Sequence, residues 1–161
     1  MTTFIIVILA VLSVVGSVVW VRPSHRDVKL AKWRQQARVS GLQVKLEGLQ
    51  AEPKESGIRE DVTGASYTLF LPKALKGDEL TWAVVKADGW LKDGLPQEWS
   101  WYLKETPLDL SKLCALIESS PIPIYAIERT PNSSRIIWGE EGIEFDAPQL
   151  NEFLQKVQAI S

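Results

Sequence analysis

Residues 122–140 read IPIYAIERTPNSSRIIWGE, and this stretch decides the fold class. Two apolar runs, IPIYAIE at 122–128 and SRIIWGE at 134–140, are separated by Pro131 and Asn132. Short β-rich runs around such punctuation predict a pair of strands. Downstream, Leu150, Phe153, Leu154 and Val157 recur at helical spacing, with Asp146 placed to cap and Pro148 suited to the first turn. Upstream, Leu108 to Ser119 predicts another helix, started near Asp109 or Ser111, with Leu110, Leu113, Ala115, Leu116 and Ile117 as core positions.

Further upstream, EWSWYLK at 98–104 reads as a strand placing Trp99 and Trp101 on one face. SYTLFLP (66–72) and LTWAVVKA (80–87) read as two more, a candidate hairpin through Lys76-Gly77-Asp78. Leu42, Val44 and Leu46 alternate with Gln43, Lys45 and Glu47, the period of a strand with one buried face. Residues 51–63 are polar, contain Pro53 and Gly57, and read as a loop. The order predicts an α+β domain over 41–161, with a mostly antiparallel sheet and two or three helices.

The other end of the chain is different in kind. Phe4 to Val21, FIIVILAVLSVVGSVVWV, has no charged side chain. As a helix it measures roughly 27 Å, close to the roughly 30 Å hydrocarbon core of a bilayer. Residues 1–21 are therefore expected to be a single transmembrane anchor. Trp20 stands where an indole prefers the interface. A cleaved secretory signal is the rival, since Val15-Gly16-Ser17 resembles a cleavage site; against it, no basic residue precedes the apolar run. Ser13, Gly16 and Ser17 form a small-residue patch that suits packing of the span and a homodimer through it, although small residues are also common in spans.

Residues 22–40 form a basic collar. Arg22, Arg26, Lys29, Lys32, Arg34 and Arg38 against Asp27 give residues 22–38 a formal charge of +5, leaving −7 on 39–161 of the overall −2. Ser24 suits an N-cap and Gly41 a C-terminal stop, so the collar reads as a helix. With Trp33 among them, its cations are expected to lie on anionic headgroups. Cations beside a span stay in the cytoplasm, which predicts an outside N-terminus and a cytoplasmic body, in a bacterial inner membrane. Nucleic acid is opposed by the acidic body.

Reactive chemistry is sparse. His25 is the only histidine and lies in the collar, so a histidine triad within the body is excluded. Cys114, the only cysteine, reads as a small core residue, and no disulfide can form within the chain. Phosphate-cradling glycine motifs are absent. Asp88, Asp93 and Glu140 are the carboxylates an enzyme would use; adjacent Glu140 and Glu141 point apart on a strand and read as solvated loop groups. No cofactor or metal is expected. Among the body tryptophans, Trp82, Trp99, Trp101 and Trp138 read as core. Trp90, between Asp88-Gly89 and Lys92-Asp93-Gly94, either packs its loop or anchors a protein contact.

The apolar run followed by Arg22-Pro23 and a basic helix, together with Lys76-Gly77-Asp78-Glu79, resembles the small single-span accessory subunit of the bacterial Sec translocon. The chain departs from that pattern, because its KGDE stretch comes far after the collar and leads into LTWAVV rather than a Gly-Gly turn. The resemblance carries over no catalytic residue. The expectation from the whole chain is a non-enzymatic adaptor or accessory subunit of a membrane complex, binding a protein partner at the cytoplasmic face. A membrane-anchored domain sensing a small ligand or lipid is the alternative.

Overall fold

The computed structural model describes residues 2–20, 24–71, 81–104, 108–120, 122–141 and 146–160, with the side chains of the first helix described from Thr3 to Gly16. Ten elements follow in order: α1 (Thr2–Trp20), α2 (His25–Val39), β1 (Leu42–Lys45), β2 (Ala65–Phe70), β3 (Trp82–Val85), β4 (Ser100–Lys104), α3 (Leu110–Glu118), β5 (Ile124–Thr130), β6 (Ser133–Trp138) and α4 (Ala147–Gln158). The class is α+β, with four helices and a six-stranded antiparallel sheet. The chain divides into two compact units, Met1–Trp33 and Arg34–Ser161. The last turns of α2 thus belong with the body, seven residues before the expected start at residue 41.

In the first unit, α1 has no charged residue and exposes its large apolar side chains on every side, from Phe4 at 72% to Ile8 at 44%. Its described side chains span fourteen residues, about 21 Å of helix. Among the described residues no helix is long and apolar enough to cross a membrane. At the start of α2, the Ser24 hydroxyl accepts from the Asp27 amide at 3.2 Å and the Asp27 carboxylate accepts from the Ser24 amide at 3.1 Å. The expected cap is present, as a reciprocal box.

In the second unit the strand order is β1-β2-β6-β5-β3-β4. The β5–β6 pair forms as the sequence predicts, closed by a hydrogen bond from the Ser133 amide to Thr130 Oγ1 at 3.1 Å. The expected hairpin of β2 with β3 does not form: β2 lies between β1 and β6, and β3 between β5 and β4. The entropic cost of closing a loop rises slowly with its length, so residues 71–81 do not force their flanking strands together. Burial decides instead. The β3 sequence WAVV is apolar throughout and buried at every position, which only an inner strand covered on both faces allows.

One face of the sheet carries α4. Ser134 Oγ donates to Leu154 O at 2.8 Å and Arg129 Nε to Gln158 O at 3.1 Å, so alternate residues Ile136, Trp138 and Ile127 share that side. The helix meets them with Leu150, Phe153, Leu154 and Val157, all buried as the spacing predicts. From α3 only Leu113 and Leu116 are buried; Ala115 is exposed, against expectation, because it lies on the outer arc of a nine-residue helix. Cys114 is half-buried, with Sγ donating to Gly94 O at 3.0 Å. The opposite face carries a second, smaller core. Leu49 and Ile58, from the segment between β1 and β2, close a small core over Val85, Ala126 and Ile137. That segment was expected to be a loop; bridges Leu49↔Val62 and Glu52↔Ile58 fold it back across the sheet.

Candidate functional site

The turn after β3 is held from several directions. The Lys86 amide donates to Tyr125 O at 2.7 Å. The buried hydroxyl of Ser100 donates to Ala87 O at 2.7 Å and accepts from the Gly89 amide at 2.9 Å. The Trp90 amide donates to Ser56 O at 2.9 Å, and Leu91 O accepts from the Trp101 amide at 2.8 Å. Satisfied backbone groups on both flanks fix the turn against β4 and against the covering segment.

On this fixed turn Trp90 is 66% exposed and Leu91 46%. Trp90 is therefore not a core residue, although its ring packs against a neighbouring segment. One face of the indole rests on Gly57, whose φ is +80 and where an added Cβ would sit 2.5 Å from the ring. A side chain at 57 would both strain the backbone and displace the ring. The other four body tryptophans, Trp82, Trp99, Trp101 and Trp138, are buried as expected.

Beside the indole lies a groove of about 490 Å3 between residues 57–60 and 86–90. Arg59 and Glu60 line one wall, Lys86 and Asp88 the other. Lys86 pairs with Glu98 at 3.2 Å, and Lys92 hydrogen-bonds Asp88. That bond from Lys92, helped by its charge, holds the Asp88 carboxyl below its usual range. Arg59 and Glu60 are exposed and make no ion pair among the described residues. The groove offers a flat aromatic surface and charges of both signs, which suits binding; its carboxylates do not converge with Glu140.

Glu140 belongs to a separate cluster. It follows β6 with φ +57 and is 6% exposed, which corrects the reading of it as a solvated loop carboxylate. Arg34 Nε donates to Glu140 Oε1 at 2.7 Å and a second guanidinium nitrogen to Oε2, while the Tyr67 hydroxyl donates to Oε1. The Tyr67 ring packs against Trp138, with centroids 6.1 Å apart. Burial first, then the bond to the Glu140 carboxylate, pushes the Tyr67 hydroxyl far above its usual range. The Arg34 guanidinium is likewise held more firmly protonated, chiefly by Glu140. Three donors satisfy one buried carboxylate, the arrangement of a structural clamp. Among the described residues no group of three His, Cys, Asp or Glu side chains is placed to hold a metal.

Of the collar residues expected on lipid, Arg26, Lys29, Lys32 and Arg38 are exposed, Trp33 is buried, and Arg34 is taken up by Glu140. Ser13 is exposed on α1, and an added Cβ at Gly16 would meet nothing. Arg22, the side chain of Ser17 and the Lys76–Glu79 stretch lie outside the described residues. Sequence reasoning missed the Arg34–Glu140–Tyr67 cluster, since nothing local joins residues so far apart. It also missed the role of Gly57, although a glycine among charged residues was a signal.

No family model matches the chain, and neither the curated proteins nor the solved structures compared with it include a similar one.

Proposed function

We propose that this chain is a membrane-tethered, non-enzymatic adaptor or accessory subunit whose acidic body binds a protein partner at the cytoplasmic face. The observation that carries the reading is α1: a helix apolar on all sides, with every large side chain from Phe4 to Val15 turned outward. Such a surface needs lipid or protein around it. The uncharged run continues to Val21, beyond the described side chains, and at eighteen residues it approaches the length of a span. The exposed cations that follow, Arg26, Lys29 and Lys32, support retention of the body on the cytoplasmic side and contact with anionic headgroups. Trp90 and Leu91, apolar and presented on a fixed turn, are the surface offered to the partner. A reporter fused after Ser161 tests the placement: activity confined to the cytoplasm is expected, and activity only outside the cell would overturn it. Capture from native membranes in mild detergent tests the adaptor role, and recovery of no specific partner would end it.

The groove beside Trp90 favours a second reading, a membrane-anchored domain sensing a small ligand or lipid. Its volume falls within the range of small-molecule sites. Native mass spectrometry of the purified chain distinguishes the two, since a ligand-sensing domain would retain a bound small molecule.

A further inference from the structure

We infer that the outer face of Trp90 seats a basic, extended segment of the protein partner, with a guanidinium or ammonium group laid over the indole. The inference rests on the adaptor reading and specifies its partner. Gly57 backs one face of the ring, and the ring is 66% exposed, so the opposite face is the one presented. An indole face attracts a cation through its quadrupole. The same fold already makes such a contact, with Lys104 Nζ 5.0 Å from the Trp101 ring centroid.

Charge selects a cation over an anion. Lys86 and Lys92 are engaged by Glu98 and Asp88, and Arg59 adds its charge at Asp88, which leaves Glu60 as the groove carboxylate outside those pairs. Around them, residues 39–161 carry −7, a field that draws basic chains and repels phosphates. A groove of about 490 Å3 lined by charges of both signs, Arg59, Glu60, Lys86 and Asp88, suits a polypeptide with several side chains better than one small cation.

The test uses the full chain in detergent micelles and fluorescence anisotropy of a dye-labelled tetra-arginine peptide. Tetra-citrulline, matched in shape but uncharged, is the control. Tetra-arginine is expected to bind and tetra-citrulline to bind far more weakly. Trp90→Ala is expected to weaken tetra-arginine binding about threefold to tenfold, and Trp90→Phe less, because a ring remains. An unchanged thermal midpoint would show that either variant folds. Equal binding of the two peptides would overturn the cation, and undiminished binding by Trp90→Ala would overturn the seat. Self-association of the chain that is lost in Trp90→Ala would also overturn it, by making a second copy the occupant. A partner captured through Trp90 without any tetra-arginine binding would sink this inference and leave the adaptor reading standing.

Discussion

Arg34, near the end of α2, forks its guanidinium onto the carboxylate of Glu140, 106 residues further along the chain. The pair ties the last turns of α2, from Arg34 onward, to the end of β6, with Tyr67 of β2 completing the clamp. Removing one member leaves the other charge partly buried and unanswered. Glu140→Gln should therefore lower stability by about 2–3 kcal/mol, below the full buried-pair range because water reaches Arg34. The double variant Arg34→Met, Glu140→Gln should lose less than the sum of the single changes. Urea unfolding of the full chain in micelles measures both.

Alkali should act through Tyr67. Its folded-state pKa lies above the usual 10.0, so its contribution is complete below about pH 10. Above that, the unfolded chain releases the proton while the folded chain keeps it, and stability falls as pH rises. Tyr67→Phe should flatten this alkaline decline and lower stability at neutral pH. Thermal midpoints between pH 8 and about pH 11 would fall more steeply than in the variant, which keeps the smaller contribution of Tyr102.

Gly57 is expected to tolerate no side chain. Its φ of +80 and the Trp90 ring 2.5 Å from an added Cβ both oppose one. Gly57→Ala should cost about 1–3 kcal/mol and shift the environment of the indole. Near-ultraviolet circular dichroism and the Trp90 indole resonance would report the shift. An unmoved resonance would mean that the ring does not rest on Gly57.

The core between sheet and α4 should be sensitive to loss of volume. Leu150 is fully buried, and Leu150→Ala should cost about 2–5 kcal/mol. A loss near zero in urea unfolding would argue against the helix packing on the sheet as described.

Much of the fold was legible because its signals are local. In α4 the spacing of Leu150, Phe153, Leu154 and Val157 named the buried face, and Asp146 stood out as the cap that Gln149 completes in the structure. In β3 the run LTWAVVKA named a strand, and its burial at every position came from the sheet around it. The neighbours of that strand were not legible. A strand's pattern says which sides leave water, but several strands match equally well, and β2 paired with β6 rather than β3. The candidate site divides in the same way: Trp90 stood out as a loop tryptophan, while its exposure depends on Gly57 lying beneath one side of the ring.

By itself, then, the sequence determined the element types, the apolar surface of α1, and the contrast between a basic collar and an acidic body. These follow from composition and period, which each short segment carries alone. Only the tertiary structure decided the strand order, the burial of Glu140 between Arg34 and Tyr67, and the outward turn of Trp90. Those depend on which distant groups meet once water is expelled, and no single segment contains both partners of such a contact.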